Sequence, residues 1–288
     1  MMRSLHLGQP VATVTAGWQE READDGELDA QLGTPGVNLG LYARWLDVLD
    51  RDPEFAGAEG KLRRLLDEVQ EIYLLRLDHA LAAVDGVAHR GGNHLLRADA
   101  LTEAIAAVRE VDSRHQRRIT DIHQEFYTAW PPHERPVIVE HRAAVADRLR
   151  NAAALVVAGG HVGVLVDALH LFNVAAALRS PVIAWSAGAM ALTDRVVLFH
   201  DRAAQGPGNA ELYGSGLSLL RGVVALPHAS RRLLLGDVTR MAVFSRRLSP
   251  ARCLPLEDGA RVDVVNGALA PGTRVLGEDG RIAVLEAA

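Results

Sequence analysis

PVIAWSAGAMAL, residues 181–192, is a short apolar run that meets a serine among small residues and then continues with helix-forming ones. Residues 181–185 read as a strand, and Ala187-Gly188-Ala189 lets a following helix pack closely against it. A nucleophile elbow needs these three things: an apolar strand, a serine in a strained tight turn, and small flanking residues. Ala184 stands where the pattern G-x-S-x-G has its first glycine, and Gly188 keeps the second. The same residues also suit a helix N-cap serine after a strand, which is common in α/β proteins.

Upstream, residues 153–158 form another apolar run, closed by Gly159-Gly160, and residues 11–16 are a β-branched-rich run closed by Gly17. Residues 142–151 and 163–179 read as helices, and 136–139 as a short strand. Strands alternating with helices at this spacing predict a mostly parallel sheet with helices on both faces. The functional residues of such a sheet gather beyond the carboxyl ends of its strands.

The middle of the chain has a different period. Leu62, Leu65, Leu66, Val69, Ile72 and Tyr73, and then Leu101, Ile105, Val108 and Val111, recur at steps of three and four amid charged residues, as on long amphipathic helices. Arg90-Gly91-Gly92-Asn93 breaks the two, and Pro131, Pro132 and Pro136 end the block. The expected organisation is an α/β core from residues 1–37 and 134–288 with a helical insertion at 38–133. The stripes of that insertion are expected to be buried at the mouth of the site or in a homo-oligomer interface. From Arg252 onward, β-rich runs separated by Glu257-Asp258-Gly259, Asn266-Gly267 and Glu278-Asp279-Gly280 predict C-terminal antiparallel hairpins.

Composition narrows the function classes. Apolar residues are 49% of the chain and charged residues 23%, as in ordinary globular proteins. The net charge of -5 argues against nucleic acid as a partner, because a phosphate-backbone binder carries a basic surplus. The single cysteine, Cys253, can close no disulfide within the chain, and no Cys/His set has zinc spacing, so a reducing, cytoplasmic location without a metal is expected. No apolar run is long enough to span a membrane.

A serine hydroxyl needs a base, and a third group to hold the base's tautomer. Among the 12 histidines, His228 ends the apolar run 222–227 and is the first candidate; His200 competes, and His161 and His170 follow. A strand ending at His228 beside the strand ending at Ser186 would bring the two together.

AWSAGAMALTDRVVLFHD, followed by LYGSGLSLLRGVVALPH, resembles the dipeptidase E and cyanophycinase group of serine peptidases, which have the class I glutamine amidotransferase-like fold. VVAGG at 156–160 shares in the resemblance, as do VTAGWQERE at 14–22 and LEDGARV near the C-terminus more loosely. The resemblance implies a flavodoxin-like three-layer sandwich and a Ser-His-Asp catalytic triad of Ser186, His228 and Asp201, the aspartate fifteen residues after the serine, with Asp194 and Glu211 as alternatives for the acid. It implies an oxyanion hole from the N–H of Ala187 and one from Gly159-Gly160-His161, a small peptide substrate and no cofactor. Where that family places Asn or Gln after the glycine loop, this chain has Val162, whose side chain forms no hydrogen bond. The competing expectation is a catalytically altered amidotransferase-like protein that serves as a binding or oligomeric scaffold. Cys253 lies far along the chain from the elbow, which disfavours the cysteine route of true amidotransferases.

Overall fold

Val11–Val14 forms β1 and is buried along its whole length, as a β-branched run covered on both faces must be. A short helix α1 (Gly26–Leu32) leads to β2 (Val37–Asn38), which pairs with β1 in parallel. β3 (Ala154–Val157) joins the other side of β1, and β4 (Val182–Ala184) joins β3, all in parallel, in the order β2-β1-β3-β4. The computed structural model describes residues 8–201 and 208–286. The chain divides into two compact units. The first comprises Met1–Gly60, Phe126–Asp194 and Gly216–Leu220; the second comprises Lys61–Glu125, Arg195–Ser215 and Arg221–Ala288.

In the first unit the chain leaves β1 toward β2 on one side and returns to β3 on the other. The direction of winding therefore reverses between β1 and β3, the position beyond whose strand ends open α/β sheets generally bind their ligands. The loop after β1 is held by a set of polar contacts. Asn38 Nδ2 donates to Thr15 Oγ1 (2.9 Å), to the Glu22 carbonyl (3.1 Å) and to Asp25 Oδ2 (2.9 Å). The buried Glu22 carboxylate accepts from the N–H groups of Tyr42 and Ala43, both at 2.9 Å, and so caps the N-terminus of α2 (Leu41–Arg51).

The helical period of the middle region is realised in two 36-residue helices, α3 (Pro53–Ala88) and α4 (His94–Ala129), separated at Gly92, whose φ is +110°. Two local expectations are corrected. Residues 136–139 are not a strand but the first turn of α5 (Pro136–Arg150): proline with its fixed φ suits the first helical position, where no N–H is needed. The helix expected over 163–179 is two, α6 (Val162–Leu171) and α7 (Val174–Ala177), because Asn173 adopts the left-handed conformation between them. α8 (Ala187–Ala191) follows β4 directly.

The second unit has its own sheets. β5 (Val196–Leu198) pairs with β6 (Glu211–Gly214) in antiparallel fashion. β7 (Val223–Pro227) connects through α9 (Ala229–Arg232) and α10 (Val238–Leu248) to β8 (Arg252–Leu256), which lies parallel to it. β9 (Val264–Val265) and β10 (Ala268–Leu269) form a hairpin about Asn266-Gly267, both at positive φ as a tight hairpin turn requires. β11 (Arg274–Leu276) pairs antiparallel with β8 and with β12 (Ile282–Val284), completing the order β12-β11-β8-β7. Hairpins thus form at Asn266-Gly267 and Glu278-Asp279-Gly280. Glu257-Asp258-Gly259 makes none, because β8 takes β7 and β11 as its neighbours.

A buried ion pair joins elements of the second unit that are distant in sequence. Arg247 of α10 donates to Asp112 of α4 through Nε (2.7 Å) and Nη2 (2.8 Å), to the Tyr73 hydroxyl of α3 (3.0 Å) and to the Ala210 carbonyl (2.6 Å). Tyr73 in turn donates to Asp112 (2.9 Å) and accepts from the Leu212 N–H of β6 (3.0 Å). Such a pair is tolerable away from water because its hydrogen bonds are satisfied. Among the described residues, no helix is long and apolar enough to cross a membrane.

Candidate active site

Ser186 lies between β4 and α8 with φ 52° and ψ -130°, a backbone conformation that residues with a side chain rarely adopt. The turn is tight: the Gly188 N–H donates to the Trp185 carbonyl at 2.9 Å. A Cβ on Gly188 would run into the carbonyl oxygens of Val157 and Ala158, so helix and strand can approach this closely only with glycine there. Trp185, just before the serine, packs with Ile183, Trp18 and Leu32 on the cluster of Val11, Leu28 and Val156. The strand end is thereby anchored, and the chain turns at the serine.

The glycine loop after β3 lies against this turn. A Cβ on Gly159 would sit 2.8 Å from Ser186 Cβ and 2.9 Å from its Oγ. Gly160, at φ +110°, leaves no room for a Cβ against the Gly17 carbonyl of the loop after β1. The backbone hydrogen bonds leave the N–H groups of Gly159, Gly160 and Ala187 without a backbone acceptor among the described residues. His161 is otherwise engaged: its N–H donates to the Gly17 carbonyl at 2.7 Å, and its Nδ1 accepts from the Val164 N–H at 3.2 Å, capping α6. His161 therefore braces the loop, and the donors open to an oxyanion are those of the two glycines and Ala187.

His228 belongs to the second unit, at the end of β7, in a left-handed conformation (φ 53°, ψ 40°). β7 pairs with β8 in a sheet separate from that of β4, so the expectation that the strands ending at Ser186 and His228 are neighbours in one sheet is not met. An apolar run marks a strand; the choice of its neighbour is made by packing across the whole chain. The register sets Pro227 opposite Leu256, which brings the residues after the two strands together. His228 Nδ1 and Asp258 Oδ1 are 3.0 Å apart, and Asp258 Oδ2 accepts from Arg231 at 2.6 Å. The neighbouring Glu257 carboxylate takes the N–H of Ser230 (2.9 Å) and its hydroxyl (2.6 Å).

Asp201, also in the second unit, is buried and occupied elsewhere. Its carboxylate accepts from Arg240 Nε (3.1 Å) and Nη2 (2.7 Å) and from the Leu234 N–H (3.1 Å). The carboxylate raises the Arg240 pKa against the opposing effect of burial. The group beside the His228 ring is thus Asp258, a residue that reads in the sequence as part of a turn. Glu211 accepts from Gln70 at 2.7 Å, and His200 is exposed. Cys253 is buried in β8, and burial pushes its thiol up to about 12, so it supplies no thiolate at neutral pH. Among the described residues, no three His, Cys, Asp or Glu side chains are grouped to hold a metal ion.

The arrangement in the first unit can present a serine hydroxyl beside several free backbone donors. That in the second can hold an imidazole in one tautomer. The chain matches no protein-family model, and no curated protein matches it at a significant level.

Proposed function

We propose that this protein is a serine hydrolase of the class I amidotransferase-like, flavodoxin-like type, and that it cleaves an amide bond in a small peptide through Ser186. The observation that carries this reading is the backbone of Ser186, held at φ 52° and ψ -130° beside a glycine loop. A strained non-glycine residue persists where the surrounding structure enforces it, and such residues cluster at working sites. A helix N-cap serine needs no such conformation, because an ordinary N-cap sits in the β region.

In this mechanism Ser186 Oγ attacks the amide carbonyl while its proton passes to His228 Nε2. The Nδ1–H of His228 donates to Asp258, which leaves Nε2 as the acceptor. Negative charge on the carbonyl oxygen is met by the Ala187 N–H and by those of the glycine loop. Collapse of the adduct returns the proton to the leaving amine, and water then resolves the acyl-enzyme by the same steps in reverse.

A fluorophosphonate probe tests the proposal. The intact protein takes up one adduct, mapped by mass spectrometry to Ser186; Ser186→Ala abolishes it and His228→Ala cuts its rate at least about a hundredfold, the usual scale of general-base catalysis. Asp258→Asn slows labelling, whereas folded Asp201→Asn labels at the parental rate, since Asp201 serves Arg240. A folded protein that takes no probe at Ser186 at pH 8 would overturn the reading and leave a binding or oligomeric scaffold in its place.

A further inference from the structure

Gln19 repeats the geometry of Ser186. Its φ of 58° and ψ of -123° nearly coincide with the 52° and -130° of the serine, while Asn173 and His228, also at positive φ, have ψ of 41° and 40° in the ordinary left-handed region. Each of the two strained residues follows a tryptophan, and Trp18 and Trp185 are anchored in the same apolar cluster of the first unit. The chain therefore turns twice in the same way beyond the carboxyl ends of the parallel strands, once after β1 and once after β4.

The loop between them links these turns. Gly17 abuts Gly160 and binds the His161 N–H, and Gly159 abuts Ser186. Two residues of chain place Gln19 within roughly 7 Å of Gly17, in the segment that follows β1, the strand beside which the winding reverses. Among the described residues the Gln19 carbonyl accepts from the Glu22 N–H at 2.8 Å, but its half-buried carboxamide makes no hydrogen bond. Its neighbours on the chain are committed: Glu20 to the Tyr42 hydroxyl (2.8 Å) and Glu22 to the N-terminus of α2. In the glycine loop, His161 Nδ1 caps α6, which leaves only the Nε2 side of its exposed ring, and Val162 has no polar atom beyond its backbone.

We infer that Gln19 is a substrate-binding residue, whose carboxamide hydrogen-bonds the peptide group next to the bond being cleaved. An amide offers one donor face and one acceptor face, which matches the N–H and C=O of a peptide and tells it from an ester or alkyl chain of the same size. This inference rests on the proposed hydrolase reading of Ser186.

Two probes of the same serine separate the two ideas: an alkyl fluorophosphonate, which has no peptide group, and an N-acyl-dipeptidyl diphenyl phosphonate, which has them. Gln19→Ala is expected to slow labelling by the peptidyl probe about tenfold, the effect of losing one well-placed hydrogen bond, and to leave the alkyl probe unchanged. Gln19→Gly, which fits the positive φ without strain, behaves the same way and guards against a folding defect in the alanine variant. Equal slowing of both probes, no slowing of either, or a parental protein that takes the alkyl but never the peptidyl probe overturns the role of Gln19 alone. A parental protein labelled by neither overturns the hydrolase reading, and the role of Gln19 falls with it.

Discussion

The side chain at position 186 comes at a conformational cost that glycine would avoid. Positive φ with ψ near -130° costs a non-glycine residue about 1–3 kcal/mol, and glycine returns about 0.4–1 kcal/mol of this through the greater entropy of its unfolded chain. Ser186→Gly is therefore expected to be more stable than Ser186→Ala, by about 1–2 kcal/mol, in urea unfolding followed by circular dichroism. Alanine keeps the strain and removes only the hydroxyl, so equal midpoints for the two variants would mean that the turn relaxes in solution. At Gly188 and Gly159 the opposite holds, because there a side chain would collide with Val157 and Ala158 or with Ser186 itself. A strained serine between obligatory glycines is expected of a site in which backbone donors must come close to a bound group.

Helix α4 carries a titratable group of unusual setting. His115 is buried and stacked on Tyr73 of α3, with ring centroids 3.8 Å apart and planes 8° from parallel. Neither ring nitrogen has a well-formed hydrogen bond among the described residues. Burial lowers its pKa to about 4, against smaller opposing contributions from the Leu212 backbone and the Asp112 carboxylate. The unfolded chain, with histidine near 6.5, binds this proton at a higher pH than the folded one does. The stability contributed by neutral His115 is thus complete above about pH 6.5 and is lost as the pH falls toward 4, by about 2–3 kcal/mol. Urea midpoints measured across that window should fall more steeply for the parent than for His115→Phe, which keeps the stack and removes the proton site. Parallel slopes would show that the ring is hydrated in solution. The amphipathic pattern made α4 legible as a helix, but not this histidine, which reads in the sequence as one charged-face residue among others.

At the scale of the whole chain, the segment that looks like an insertion is built into the second unit. Lys61–Glu125 shares that unit with Arg195–Ser215 and Arg221–Ala288, and the Tyr73, Asp112 and Arg247 network binds α3, α4, β6 and α10 together. Asp112→Ala would leave the Arg247 guanidinium buried and without its counter-charge, a defect that costs about 3–5 kcal/mol. The double variant Asp112→Ala/Arg247→Met should recover much of that loss in the same unfolding measurement, since an apolar pair of similar volume is tolerated at such sites. A double variant no better than the single one would mean that the network does not hold these elements as a unit.

The sequence by itself determined the local pieces: the parallel strands β1, β3 and β4, the two long helices, and the serine turn with its glycines. These follow from hydrophobic period and from steric rules that act within a few residues, so they are present in any short window of the chain. Tertiary structure alone decided which strand β7 joins, and with it that Asp258 rather than Asp201 meets the His228 ring. It also decided that Gln19 turns as Ser186 does. Each of these depends on which groups, far apart in the chain, compete for the same neighbour. Arg240 takes Asp201, and β8 brings Asp258 to the end of β7. Such competition is settled by burial and by the need of every buried polar group for a partner, and neither is written in local spacing.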